Sequence, residues 1–186
     1  EQLAIIEAGI SEPGEMERLE AMIRPDIGIF TNLGDAHQEH FTSLEQKLSE
    51  KLILFRHART ILYNAGDKWV ADQIARTYAD RKLCAVDPNH YDLHTLPYRD
   101  QASLENAAKA IALYDILGYN LKSILATLPS LQSVAMRMEL KEGINGCKLI
   151  NDSYNSDINS LAVSLDYLAS VAGGQPKVLI LSDIRQ

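Results

Sequence analysis

Short apolar runs that alternate with amphipathic stretches constrain this chain more than any other feature. The strand-like runs are 2–7, 26–31, 60–64, 82–86, 147–151 and 177–182. They are rich in Ile, Val and Leu and lack strict polar alternation, which is the pattern of parallel strands buried on both faces. Helical patterns fill 14–23, 43–58, 67–80, 103–117, 121–128 and 158–171. Leu161, Leu165 and Leu168 make the stripe of the last helix, while Leu104, Ala108, Ile111 and Tyr114 or Asp115 fall near one face of the fourth. Ser103 with Glu105-Asn106 reads as a helix start and Gly118 as a helix stop. The expected class is α/β, with a parallel sheet and right-handed crossovers.

Two breaks interrupt this pattern. Residues 87–100 are polar and aperiodic and carry two prolines, so they read as a loop. The second break lies near 129–137. From residue 138 the pattern restarts as a hairpin-like piece around Gly143 to Gly146, followed by a strand, a helix and a strand. A domain boundary is therefore expected near 135, giving units of 1–134 and 135–186. Core-type strands at both ends, 2–7 and 177–182, have open edges that need cover, which implies a part of a longer protein.

Composition limits the functional classes. The 186 residues suffice for one sizeable core or two small ones. A net charge of −7 argues against a general binder of nucleic acid or anionic membrane, though a local basic pocket could still hold phosphates. Cys84 and Cys147 match no zinc or redox spacing and sit in apolar runs, so both read as buried thiols in a reducing compartment. No apolar run approaches the ~18 residues of a membrane span and no signal peptide is evident, which points to the cytoplasm.

Within this frame, residues 31–55 carry the most chemical information. An apolar strand ends in Thr31-Asn32, a glycine turn leads to His37, and a helix follows with a lysine in its apolar stripe. At about 100° per residue, Leu44, Leu48, Lys51 and Phe55 fall within about 60° of one another. Glu45, Gln46, Lys47, Ser49 and Glu50 are read as lying elsewhere on the helix. A lysine in such a stripe either snorkels to solvent or is chemically altered, because an unpaired buried ammonium is strongly unfavourable.

Three constellations could carry chemistry. Glu7 ends an apolar run and His37 follows the turn after another, and ligands of open parallel sheets gather at such carboxyl ends. With Lys51 nearby, the carboxylate and imidazole suit Mg²⁺ or Mn²⁺; alternatively Glu7 caps a helix and His37 is a hydrogen-bonded turn residue. The run Asn151-Asp-Ser-Tyr-Asn-Ser-Asp157 lies between a strand and a helix, where helix amides attract phosphate, or where Ser156, Asp157 or Asn159 simply caps the helix. Arg137 stands alone in the presumed linker. It can clamp a phosphate when domains close, or form a surface salt bridge.

Together these residues resemble the Mur ligases, the ATP-dependent amide-forming enzymes of peptidoglycan precursor synthesis. The matching pieces are Glu7-Ala-Gly, Pro13-Gly-Glu15, Pro25-Asp26, Thr31-Asn-Leu-Gly-Asp-Ala-His37, Phe41-x-Ser43 and Glu50-Lys51. Further along come Tyr63-Asn64-Ala-Gly-Asp67, Glu105-Asn106-Ala-Ala, Met136-Arg137 and Asn151-Asp-Ser-Tyr-Asn-Ser-Asp157. Within the family, the Gly-Glu pair and the Asp-Ser-Tyr-Asn run are most like the branch that adds D-Ala-D-Ala. Val134-Ala-Met-Arg-Met-Glu139 also resembles forms of it fused to an alanine racemase.

The resemblance implies a central ATP-binding domain, in part, followed by the start of a Rossmann-like carboxy-terminal domain. It implies that Glu7 and His37 hold magnesium and that Lys51 is carbamylated, its new carboxylate helping to place a second magnesium. Lys51, His37 and Arg137 would be the catalytic set. Asn64 and Asp67 match the adenine side of ATP, Arg137 the phosphates, and Asp152, Tyr154 and Asn155 the carboxy-terminal contacts to nucleotide. The implied reaction joins a UDP-MurNAc-peptide carboxylate to D-Ala-D-Ala through an acyl phosphate.

Departures from the family pattern are equally specific. No Gly-x-x-x-x-Gly-Lys-Ser/Thr loop occurs in the chain, and no domain for the UDP-sugar is recognisable. Gly66-Asp67 replaces the usual second acidic residue after Asn64, and Met136 stands where a glycine precedes the hinge arginine. Region 84–100 is short for the family. These 186 residues alone are thus expected not to ligate. Two rivals share parts of this logic: a folylpolyglutamate or cyanophycin synthetase, and a degenerate ligase domain kept as a scaffold.

Overall fold

The computed structural model describes residues 3–34, 38–96, 100–131, 137–154 and 158–182. In chain order the elements are α1 (Glu15–Ile23), β1 (Ile27–Ile29), α2 (Leu44–Leu52), β2 (Thr60–Asn64), α3 (Lys68–Thr77), β3 (Lys82–Val86) and α4 (Gln101–Ile116). They continue with α5 (Leu121–Thr127), β4 (Glu139–Glu142), β5 (Lys148–Asn151) and α6 (Ile158–Ala172). Strands β1, β2 and β3 form one parallel sheet in that order, with Gly28 opposite Ile61 and Leu62 opposite Cys84. The expected α/β class is what the chain forms.

Alternation along β2 assigns the two faces of the sheet. Ile61 and Tyr63 point into a cluster with Phe30, Leu48, Leu52, Phe55, Val70 and Ile74, so α2 and α3 cover that face. Leu62 points the other way, against Val86, Ala108, Ile111 and Ala112 of β3 and α4. Burial of both faces explains why the central strands read as continuous apolar runs. Gly28 is required by packing: a Cβ there would meet the Phe55 ring at 2.3 Å. A smaller cluster of Ile10, Met16 and Phe41 seats α1 beside the 3₁₀ turn Ile53–Phe55.

Local signals set most element ends. Ser43 and Asp67 cap α2 and α3 through bonds from Gln46 N and Val70 N. Helix α4 starts two residues earlier than Ser103 suggested, because Asp100 accepts from Ser103 N and is the true cap. It ends at Gly118, whose φ of 76° fits the left-handed position that stops helices. The long pattern 43–58 resolves into α2 and its 3₁₀ turn. Of the expected loop 87–100, residues 97–99 lie outside the described residues; 87–96 hold a 3₁₀ turn at Pro88–His90 and dock Leu93 and Leu96 into the core.

The hairpin around Gly143–Gly146 forms as β4 and β5, antiparallel, with Glu139 opposite Asn151. Asn145 (φ 58°) and Gly146 (φ 73°) make its turn. Of the α6 stripe, Leu161 and Leu168 are partly covered, whereas Leu165 is exposed.

Three expectations are corrected. Neither 3–7 nor 177–182 is a strand: Ile5 is 81% exposed and Ile180 89% exposed. Apolar composition makes an extended run sticky, but only a neighbour that supplies ladder partners makes it a strand. Cys147 is exposed just ahead of β5, and Cys84 on β3 is only half-buried. No helix among the described residues is long and apolar enough to cross a membrane.

Candidate active site

The stripe lysine opens onto a cleft at the carboxyl end of β1. A cavity of about 290 Å³ is lined by Gly9, Ile10 and Ser11, by Asn32 and Gly34, and by Lys47 and Lys51. Its first wall begins two residues after Glu7 and its second ends three residues before His37. The backbone at Gly9–Ser11 and at Asn32 and Gly34 therefore borders the cleft that Lys51 lines. Glu7 itself is exposed on its extended segment, and His37 lies outside the described residues.

Lys51 is half-buried. Burial holds its ammonium below the ordinary lysine value, and the neighbouring Lys47 charge pushes the same way. A lowered value enriches the neutral amine, which is the form that adds CO₂. Lys47 was placed off the apolar stripe, yet it is only 2% exposed, and its Nζ donates to the Gly34 carbonyl at 2.6 Å. The signal was available, because Lys47 and Lys51 are four residues apart and share a helix face.

The first wall is held by side chains with no role in the sequence reading. His40 Nδ1 donates to the Ser11 carbonyl at 2.9 Å, which fixes its proton on that nitrogen. Glu15 accepts from Ser11 N and Glu12 N, and Glu50 on α2 accepts from Gly14 N. These carboxylates neutralise backbone N–H groups at the start of α1. Of the Glu50-Lys51 pair, then, one residue anchors the wall and the other faces the cleft.

Asn64 and Asp67 lie at the carboxyl end of β2, as ligand residues of parallel sheets do. Both already hold backbone: Asn64 Oδ1 accepts from Gly66 N at 2.8 Å, and Asp67 Oδ1 from Val70 N at 3.0 Å. On the hairpin, the guanidinium of Arg137 stacks over the Tyr154 ring, 4.5 Å from its centroid. Asp152 accepts from Met138 N at 3.1 Å and from the Ser164 hydroxyl, tying the β4 entrance to α6. Arg137, Asp152 and Tyr154 thus come together; Asn155, with Ser156 and Asp157, lies outside the described residues. A larger cleft of about 390 Å³, beside Tyr91, His94 and Gln101, contains none of the expected site residues.

Fitness for a divalent metal depends on the state of Lys51. Among the described residues no three His, Cys, Asp or Glu side chains form a metal-sized group. With Lys51 as an ammonium the cleft is lined by two lysines, which do not suit Mg²⁺. As a carbamate, Lys51 would present an anionic oxygen to the cleft, a hard donor that does.

Comparison with known proteins decides the family. Residues 1–115 match the family model of the Mur ligase middle domain. The chain belongs to the Mur ligase family. It is 25% identical to the UDP-N-acetylmuramoyl-tripeptide–D-alanyl-D-alanine ligase of Bacillus subtilis, over 98% of this chain and 45% of that protein. It is 26% identical to the UDP-N-acetylmuramoylalanine–D-glutamate ligase of Pseudothermotoga lettingae, over 71% of this chain and 33% of that protein. A crystal structure of MurF from Acinetobacter baumannii matches with a TM-score of 0.73 at 19% identity, over 86% of this chain and 41% of that one. The chain spans less than half the length of these relatives. The Mur ligases are ATP-dependent amide ligases.

Proposed function

We propose that residues 1–134 are part of the central ATP-binding domain, and 135–186 the opening of the carboxy-terminal domain, of a ligase that adds D-Ala-D-Ala to a UDP-MurNAc-peptide. The work belongs to peptidoglycan precursor synthesis in the cytoplasm and so to cell-wall growth. One observation carries the reading. Lys51 sits half-buried in a cleft bordered by the backbone that follows Glu7 and the backbone that precedes His37.

In this reading Lys51 is carbamylated, and Glu7, His37 and the carbamate hold magnesium. Magnesium, when bound, neutralises charge on the phosphates of ATP. Arg137 contacts the same phosphates, with Tyr154 holding its guanidinium plane in the observed stack. Asn64 and Asp67 line the adenine side, and Asp152, Tyr154 and Asn155 complete the nucleotide contacts. The peptide carboxylate attacks the γ-phosphate to give an acyl phosphate and ADP. The amine of D-Ala-D-Ala then displaces inorganic phosphate through a tetrahedral intermediate. Positioning and charge neutralisation supply most of such catalysis.

Likeness to D-alanyl-D-alanine ligases along nearly the whole chain supports this branch. Likeness to D-glutamate ligases over 71% to 92% of it keeps a second amine substrate in play. The test is ligation by a longer protein in which this chain follows a Gly-x-x-x-x-Gly-Lys-Ser/Thr loop. It should join D-Ala-D-Ala to UDP-MurNAc-tripeptide and release phosphate, whereas the 186 residues alone should not. Joining D-glutamate to UDP-MurNAc-alanine instead would reassign the branch, and no ATP-dependent joining at all would refute the reading. A fused alanine racemase domain is part of the same proposal and is read from the longer sequence.

A further inference from the structure

Two ammonium groups for which the ligation chemistry has no use lie inside the fold. Lys47 on α2 and Lys109 on α4 are each 2% exposed. Burial lowers the Lys109 ammonium below the usual lysine value, with Glu105 opposing in part. Withdrawing an ammonium from water is costly unless strong acceptors replace the water. Each finds a backbone acceptor in one short segment. Lys109 Nζ donates to the Thr31 carbonyl at 3.2 Å and to Asn106 Oδ1 at 3.3 Å, and Lys47 Nζ donates to the Gly34 carbonyl at 2.6 Å.

The two lysines approach from opposite sides. Helix α2 packs on the Ile61 and Tyr63 face of the sheet, and α4 on the Leu62 face. Between them, the chain leaves β1 after a last bond from Phe30 N to Leu62 O and runs through Thr31–Gly34. Asn32 and Gly34 of that segment line the cleft that holds Lys51. Lys109 lines neither of the two clefts described above and is almost wholly shut off from solvent. A methionine would fill the same space, and the ammonium adds its charge-assisted bonds to the Thr31 carbonyl and Asn106 Oδ1.

We propose that Lys47 and Lys109 are positioning residues that clamp Thr31–Gly34 from the two faces of the sheet and so hold Asn32 at the cleft that Lys51 lines. Only the consequence for chemistry rests on the ligase reading above; the clamp itself does not. Neither residue belongs to the expected catalytic or binding set. Each replaces a water-filled gap or an apolar contact with a directed bond to a carbonyl, which fixes a turn that apolar packing alone would leave free to rotate.

The test is ¹⁵N relaxation of the backbone amides in the 186-residue protein, with Lys47→Met, Lys109→Met, Lys109→Arg and the exposed control Lys141→Met. Order parameters of Asn32–Gly34 should sit near ~0.85 in the parent and fall below ~0.6 in either methionine variant. The β2 amides and the control should not change, and Lys109→Arg, which keeps a charged donor, should restore the turn. In ¹³C-bicarbonate, a Lys51 carbamate signal should weaken several-fold in both methionine variants. Rigid 31–34 amides in folded methionine variants would overturn the clamp. If a methionine variant does not fold, Lys→Gln at that position decides: partial loosening supports the clamp and unchanged order parameters overturn it. A carbamate signal absent from the parent protein would count against the ligase reading alone, with the order parameters still deciding the clamp.

Discussion

Gly28 and Lys109 show how single residues set this fold. Gly28 lies in β1 with the Phe55 ring against its backbone, and Phe55 also meets Phe30 edge-on at 6.4 Å between centroids. Gly28→Ala overpacks a buried site and should cost about 1–3 kcal/mol, measured by urea denaturation. Lys109 acts through its charge. The unfolded chain binds its proton up to the ordinary value of 10.5, and the folded chain releases it earlier. Between those two values the unfolded state holds more protons, so this contribution to stability rises with pH. The difference in melting temperature between the parent and Lys109→Met should therefore shift in the parent's favour from neutral pH toward 10.5. Tyr63, Tyr78 and Tyr91 have raised values and lose stability above 10.0, but they are common to both proteins and cancel. A pH-independent difference would contradict the assignment of a strained ammonium.

At the scale of elements, the strand–helix order was legible because both faces of β2 are buried and α2, α3 and α4 each carry a matching apolar face. What escaped reading depended on partners. Residues 3–7 and 177–182 have strand-like composition, yet no ladder forms there among the described residues. The cap of α4 was placed at Ser103, although Asp100 does the work, since a run of polar residues offers several plausible caps. Asp67 illustrates a second ambiguity, a residue expected at nucleotide that also caps α3. Asp67→Ala should cost about 1 kcal/mol of stability by loss of the cap. Asp67→Ser should retain most of it in the same thermal melt. If the ligase reading holds, the serine variant should nonetheless weaken nucleotide binding in the longer protein. Equal stability of the alanine and aspartate forms would remove the capping role.

For the whole molecule, the candidate site was legible as a list of residues and not as an arrangement. Lys51 shares one cleft with Gly9–Ser11 and with Asn32 and Gly34, a meeting that spacing alone does not give. Arg137, Asp152 and Tyr154 meet on the hairpin, which no periodicity could have shown, because a stacked guanidinium leaves no trace in sequence. Lys47 shares a helix face with Lys51 and is legible on that ground, whereas Lys109 is not, because a lysine in sequence reads as solvent-facing and only the fold brings the Thr31 carbonyl to it. The account turns on whether the cleft carries a cation or an anion at Lys51, since the anion alone suits magnesium. The most direct measurement is ¹³C NMR of the protein in ¹³C-bicarbonate, compared with Lys51→Arg. A carbamate resonance present in the parent and absent from the variant is the predicted result. Identical spectra from the two proteins would contradict the account.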